Sequence, residues 1–579
     1  MTEFSSEPVN TVIPDDLTIP QFFLDSHHPL RPLRTADIPW LIEDATGKKI
    51  GFEELRARTF GLANSFCSRF GTKDGDVVVI FSPNHVDYVC VTWATHRLGA
   101  IVSGANPTYT ADELLYQIQT TNASLVIAHP LSLSTALTAA RAAGIPDEHV
   151  LVFDRVPGNG GPITIESLVQ EGLGMDQCFI EPRLNPGEAK SKVAFLNFSS
   201  GTTGKPKAVA IPHYAPIANV LQMSLHLKVN QDYCPWEDQR IRPGDVAAGV
   251  LPFFHIYGLV VTLHLMIFCG LSLVVFPKFS YPEFLQSISR HKITHLFLVP
   301  PQVVLLCKHP ATKEHDLSGI RLLISGAAPL SAELMNQLIK VIPNAQIGQG
   351  YGLTESSTTV AMFSTDSKLG VPGSAGKLVP GAVARVVKED GTLAGYNEPG
   401  ELMIKSPSLA VGYWNNEEAM KETFVDGWLR TGDEVIIRED HEVFIIDRIK
   451  EIMKVRGYQV APAELEGCLL DHPDIADVCV VPVPDEYSGE VPMAYVVLYP
   501  HVSERVRARV EEGEKVRASI VKHVADNKVA YKHLAGGVAF VDVIPKNPSG
   551  KLLRRVLRDR AREEGRGKGR SKEKAKAKL

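Results

Sequence analysis

Short apolar, β-branched runs separated by helix-period segments dominate the first half of the chain. Val77 to Phe81 is apolar at every position, as a strand buried on both faces requires. Asn84 to Leu98 carries a helical period, Ile101 to Ser103 reads as the next strand, Ala111 to Thr121 as a helix and Leu125 to Ala128 as a strand behind it. Strands alternating with helices predict parallel sheets covered on both faces, an α/β class. Near Gly400 the texture shifts to shorter strand-like runs between turns: Glu401 to Lys405, Val435 to Arg438 and Val443 to Ile446. After Asp447-Arg448-Ile449-Lys450 it becomes a compact α+β segment, with a helix near Ala463 to Leu470 and strands near Val478 to Val483 and Ala494 to Leu498. A domain boundary near Lys450 follows from that change. No period of about 20 to 50 residues recurs, so a solenoid or propeller is not indicated.

One stretch imitates a membrane span, since Ala247 to Pro277 contains no Asp, Glu, Lys or Arg. Its Pro252, His255, His264 and glycines favour a loop, a buried helix and a short strand (Leu273 to Phe276) in the core of a large protein. The length of 579 residues, with 44% hydrophobic and 22% charged residues, supplies several packed units and neither disorder nor a fibrous repeat. Charge is divided unevenly: Arg554 to Leu579 carries +8, so the rest of a chain of net −6 carries −14. An acidic body speaks against a broad nucleic-acid surface, which needs many Lys and Arg against phosphates. Beyond Leu557 the sequence is charged and low in complexity, as a basic tail would be. The eight cysteines are scattered, with no C-x-x-C pair and no histidine partner at zinc spacing, which points to a reducing compartment without structural zinc. The acidic N-terminus, Met1 to Glu7, has neither an export nor a transit pattern.

The segment Phe198-Ser199-Ser200-Gly201-Thr202-Thr203-Gly204-Lys205-Pro206-Lys207 carries the strongest chemical signal. Glycines and small hydroxyl residues let backbone N–H groups approach an anion, and Lys207 adds a mobile cation, so the loop suits a polyphosphate. It is not a Walker A loop, because Ser199 and Pro206 occupy positions where that motif needs Gly and Ser or Thr.

This tract resembles the phosphate loop of the adenylate-forming superfamily, which includes acyl-CoA synthetases, 4-coumarate:CoA ligases, luciferases and peptide-synthetase adenylation domains. Further stretches match in order: Leu251 to Gly258 (LPFFHIYG), Ser325 to Leu330 (SGAAPL), Gly348 to Glu355 (GQGYGLTE), Gly427 to Asp433 (GWLRTGD), Asp447 to Val460 (DRIKEIMKVRGYQV) and Pro545 to Lys551 (PKNPSGK). Together they span about 350 residues. The likeness is greatest to the 4-coumarate:CoA ligase group and its peroxisomal acyl-CoA ligase relatives. The implied fold is α/β: a large N-terminal domain (1–448) of parallel-sheet subdomains with a small β-barrel-like subdomain, a small mobile α+β C-terminal domain (449–556) and a basic tail (557–579). The implied reaction joins a carboxylate to ATP as acyl-AMP with release of pyrophosphate, and coenzyme A then displaces AMP.

The resemblance assigns roles residue by residue. Lys551 is the catalytic lysine that bridges carboxylate and α-phosphate, Glu355 the magnesium ligand and Thr354 an α-phosphate contact. Ser199, Ser200, Gly201, Thr202, Thr203 and Lys207 form the phosphate loop. Asp433, assisted by Arg448, takes the ribose hydroxyls, while Gln349, Gly350 and Tyr351 line the adenine and acyl sites. Lys450 is the hinge about which the small domain rotates after adenylation, withdrawing Lys551 and bringing in Lys454, Arg456, Gly457 and Gln459. Gly457 passes the pantetheine, and Arg456 with Lys278 holds coenzyme A phosphates. His255 gates the acyl pocket, and Tyr257, Val261, Ala327, Gly350 and Met362 contact the acid. Where hydroxycinnamate ligases tend to have Pro and Val, this chain has Thr358 and Thr359, and Val261 replaces a common Ser. The expected substrate is therefore a hydrophobic aromatic or medium-to-long-chain acid. Ala577-Lys578-Leu579 resembles a peroxisomal address read by an import receptor, with a cytoplasmic protein as the alternative. A luciferase-like oxygenase, a carrier-loading enzyme and a silent nucleotide-binding homologue remain the functional alternatives.

Overall fold

The computed structural model describes residues 3–156, 161–199, 206–330, 332–456, 458–485, 487–546 and 550–564. Among these residues the strands form four sheets. The first runs Gly412–Tyr413, Lys207–Pro212, Val193–Ser199, Ile101–Ala105, Val77–Phe81, Leu125–Ala128 and Val150–Val152. Its centre is parallel, and Val193–Ser199 turns back antiparallel onto Lys207–Pro212. The second has parallel pairing from Leu41–Glu43 through Ser272–Val275, Val246–Gly249, His295–Leu298 and Leu322–Ser325 to Gln346–Leu353, then the antiparallel strand Thr358–Met362. The third is a small antiparallel sheet in which Trp428–Ile437 pairs with Gly400–Lys405 and with Val443–Arg448. The fourth belongs to the C-terminal segment and is built around the long hairpin of Ile475–Asp485 and Gly489–Leu498.

The two large sheets share one apolar core. The helix Tyr88–Arg97 is buried at every position, and Tyr214–His226 at ten positions from Ala215 to Ser224. Phe23 stacks on Trp93 of the first helix, and Phe22 and Phe268 pack beside it. Each fully buried side chain of this size contributes about 1.5–3 kcal/mol.

The helix expected from Asn84 begins only at Tyr88, because the residues before it make tertiary bonds. Asn84 donates to the carbonyls of Gly249 and Leu251 and accepts from Phe253 N–H, tying the segment after the first sheet's inner strand Val77–Phe81 to the second sheet. The uncharged stretch from Ala247 opens not with a loop but inside the strand Val246–Gly249, and its helix is of the π type over Tyr257–Leu265 before a short α-turn, Met266–Phe268. No described helix is long and apolar enough to cross a membrane.

Candidate active site

A cavity of about 1040 Å³ opens where the first three sheets meet the C-terminal segment. On one wall, the pairing of Trp428–Ile437 with Val443–Arg448 sets Asp433 directly opposite Arg448. Arg448 Nε lies 3.3 Å from Asp433 Oδ1, and the Tyr351 hydroxyl donates to Oδ2 at 2.6 Å. Burial pushes the Asp433 carboxyl up, against the pull of the Arg448 guanidinium and the Tyr351 hydroxyl. Burial and the neighbouring carboxylate likewise hold the Tyr351 phenol protonated. A buried carboxylate already fixed by a hydroxyl donor and a paired guanidinium is a rigid acceptor for ligand hydroxyls.

Below it, Thr354 and Glu355 sit on the single turn Thr354–Ser356. Ser199 Oγ donates to Glu355 Oε1 at 3.0 Å and the Tyr413 hydroxyl to the same oxygen at 2.8 Å. Lys207 Nζ stands 5.1 Å from the Tyr413 ring centroid, so a cation and this carboxylate face the same space. Oε2 accepts no bond from the described residues, which leaves one hard oxygen free. Among the described residues no group of three or more His, Cys, Asp and Glu could hold a metal by itself. The backbone then turns through Ser357 (φ +52°) and Thr358 (φ +114°), left-handed conformations that cost about 1–3 kcal/mol each outside glycine. The Thr358 hydroxyl donates to the Ile256 carbonyl, and the Asn219 amide exchanges bonds with Thr359 N–H and C=O, holding the turn in place.

The opposite end of the cavity is apolar. Tyr257 and Val261 reach it from the π-helix, Met362 from the strand Thr358–Met362, and Ala327, at φ +69°, from the loop after Leu322–Ser325. Gly326 lets the Tyr257 ring lie close: a Cβ there would stand 3.0 Å from Cε1. Gly350 also lines this space, and Gln349 accepts from Leu330 N–H at 2.6 Å while its Nε2 is buried without a partner among the described residues. His255 accepts from Tyr257 N–H through Nδ1. Burial, then the nearby Lys551 cation, lower its pKa to about 4, so it is neutral near pH 7.

Lys551 enters from the C-terminal segment. An isolated bridge pairs Lys546 with Leu552, and Gly550, at φ +82°, lies against Val299 so closely that a Cβ would meet Cγ2 at 2.9 Å. Three residues on, Arg554 pairs with Glu451 at 3.0 Å and with Glu466 of the helix Pro462–Leu470, and donates to the Val480 carbonyl of the C-terminal sheet at 2.8 Å. Burial, with Arg448 nearby, lowers the Lys551 pKa to about 8, while Asp433, Glu451 and Glu355 oppose the shift. Lys450 lines the same cavity at the junction of the sheets.

Lys278, Lys454, Arg456 and Gln459 do not line the cavity and are exposed. Lys454 is paired only loosely with Glu389, at 3.7 Å, and Arg456 lies over the Tyr487 ring at 4.9 Å. Ser200, Gly201, Thr202, Thr203, Gly457 and Ala577-Lys578-Leu579 lie outside the described residues. Sequence reasoning missed Tyr413, Asn219 and Arg554. Tyr413 and Asn219 lie between the matched stretches and only tertiary pairing brings them in; Arg554 lies three residues past the last matched stretch, where a helix-spaced Arg could have been noticed.

The description "AMP-binding enzyme" matches residues 31–414, and "AMP-binding enzyme C-terminal domain" matches residues 464–551. The chain belongs to the AMP-binding enzyme family. It is 35% identical over 571 residues to 4-coumarate–CoA ligase 5 of Oryza sativa subsp. japonica, with 96% of each chain covered. ATP-bound MatB of Rhodopseudomonas palustris superposes with a TM-score of 0.76 at 27% identity, covering 91% of this chain and 96% of that one. The anthranilate CoA ligase AuaEII, solved with anthranoyl-AMP, has the same fold, with a TM-score of 0.79 at 24% identity over 95% of this chain and 98% of that one. The adenylate-forming fold expected from the motifs is therefore the observed one.

Proposed function

We propose that this protein activates a hydrophobic monocarboxylic acid with ATP and passes it to coenzyme A. The reaction class is that of an AMP-forming acid–thiol ligase. A carboxylate oxygen attacks the α-phosphorus as the bond to pyrophosphate breaks; the coenzyme A sulfur then attacks the acyl carbon, its proton is lost and the bond to AMP breaks. The first step brings two anions together, so cations and oriented donors must absorb the growing charge.

One observation carries the reading: Lys551 of the C-terminal segment converges with Asp433, Arg448, Glu355 and Lys207 on one cavity. On this reading Asp433 accepts the ribose hydroxyls and Lys551 bridges carboxylate and α-phosphate. The free oxygen of Glu355 fits a hard ion such as Mg²⁺, which binds through one or two carboxylates plus substrate phosphates and would supply charge neutralisation there. The cationic residues lining the cavity, Lys207, Arg430, Arg448, Lys450, Lys546, Lys551 and Arg554, come from the phosphate-loop strand, the small sheet and the C-terminal segment. Tyr257, Val261, Met362 and Ala327 offer no cation to a second carboxylate, which supports an acid whose distal end is uncharged. Thr358 and Thr359 support a specificity other than hydroxycinnamate, although the matched motifs resemble that group most.

Acid-dependent exchange of labelled pyrophosphate into ATP tests the first step. A panel from acetate to long-chain and aromatic acids, with the thioester detected by mass spectrometry, tests the second; preference for acetate over every larger acid overturns the pocket reading. We extend the proposal to the compartment: Ala577-Lys578-Leu579 supports recognition by a peroxisomal import receptor. A fluorescent fusion that stays cytoplasmic, indifferent to loss of Leu579, overturns that part.

A further inference from the structure

The wall of the acyl end is the π-helix Tyr257–Leu265, buried at every position after Tyr257. π geometry is uncommon and appears mostly as single turns at functional sites, so nine residues of it require a cause. Two side chains within it point to one.

His264 is fully buried between Trp93, Phe23 and Phe195. Trp93 Nε1 can only donate, and it reaches His264 Nε2 at 3.2 Å, so the neutral imidazole carries its proton on Nδ1. That N–H donates to the carbonyl of Leu259, five residues earlier, at 2.7 Å. Both ring nitrogens are used, and the side chain spans one π-turn.

Thr262 is in the reverse situation. Helical threonines elsewhere in the chain return their hydroxyls four residues back: Thr59 to Leu55 at 2.7 Å, Thr92 to Tyr88 at 2.8 Å and Thr95 to Val91 at 2.9 Å. Thr262 Oγ1 is buried with no partner among the described residues. An α register would return it to Gly258, so the wall satisfies His264 at the expense of Thr262. The register matters to the cavity because Tyr257 and Val261, four residues apart on this helix, both line it. Rewinding to α would rotate one relative to the other.

We propose that His264 is a positioning residue for the acid: its bridge from Trp93 to the Leu259 carbonyl holds the wall in the π register, and that register selects which acids fit. The inference rests on the acyl-CoA ligase reading.

The test measures kcat/KM over a homologous series of acids for the wild type, His264→Leu, His264→Gln and Thr262→Val, with KM for ATP and coenzyme A alongside. His264→Leu is expected to change the ratio of kcat/KM between the bulkiest and smallest accepted acids by about tenfold or more, the scale at which apolar pockets discriminate. KM for ATP and coenzyme A stay within about twofold, as expected if the wall touches only the acid. His264→Gln, whose amide donates and accepts at once, keeps the wild-type ratio, and so does Thr262→Val, which removes only the unbonded hydroxyl. A uniform loss across all acids in His264→Leu, an unchanged ratio, or an equal shift in His264→Gln overturns the proposal. Should His264→Leu not fold, Trp93→Phe removes the donor to Nε2 while keeping an aromatic ring against Phe23 and is expected to shift the ratio in a smaller measure; an unchanged ratio there overturns it equally. A wild type that exchanges no pyrophosphate with any acid removes the ligase reading itself, a distinguishable failure.

Discussion

Lys551 and Lys454 belong to the same small C-terminal segment and meet opposite surroundings. Lys551 reaches into the cavity among Asp433, Glu451 and Glu355, and burial brings its pKa to about 8. The Lys454 side chain, on the strand Met453–Val455, is 68% exposed and, among the described residues, pairs with Glu389 at 3.7 Å. One domain thus carries two candidate cations of which this arrangement engages one. The difference teaches that position, not residue type, decides which amine acts. The domain rotation we propose would withdraw Lys551 together with the other cavity residues of that segment, Lys546 and Arg554 among them.

The largest expected effect breaks the contrast most directly. Lys551→Ala should lower acid-dependent pyrophosphate exchange by about 10²–10³-fold, the scale of losing one oriented charge at a phosphoryl centre. Thioester formation from supplied acyl-AMP should be largely spared, and equal loss in both assays refutes the division. Lys454→Ala is expected to show the converse, thioester formation falling by about tenfold or more while exchange persists. Its readout is single-turnover transfer from acyl-AMP.

The pH profile sharpens the comparison. Below about 8 Lys551 is a cation and the free enzyme can adenylate; above it the amine is neutral, so kcat/KM for exchange should fall by about tenfold per pH unit on the alkaline side. Lys551→Arg, which stays charged, should remove that alkaline limb whatever its absolute rate. A limb that persists in the variant assigns the titration elsewhere. Tyr351→Phe removes the hydroxyl donor on Asp433 and should raise KM for ATP by about two- to tenfold, the worth of one hydrogen bond. Smallest of all, Tyr413→Phe takes one donor from Glu355 and should shift the divalent-ion concentration for half-maximal exchange by about two- to threefold.

Much of the N-terminal fold was readable in the amino-acid order because its strands are apolar at every position: Val77–Phe81 and Leu125–Ala128 appear as expected. The motif residues were readable for another reason, since each matched stretch is short and distinctive in composition. What stayed hidden were residues whose roles arise across distance. Nothing around Asn219 announces that its amide clamps Thr359, 140 positions away. The π register of Tyr257–Leu265 was equally silent, because a helix apolar on all sides shows no period from which to read its pitch.

The fit of Gly550 against Val299 leaves space for a hydrogen and nothing more. That contact is a gauge for seating depth: a methyl at position 550 would prop the small lobe ajar and hold an amine short of its target. Whoever wishes to stop the catalytic cycle before its first half has there a wedge the width of one carbon.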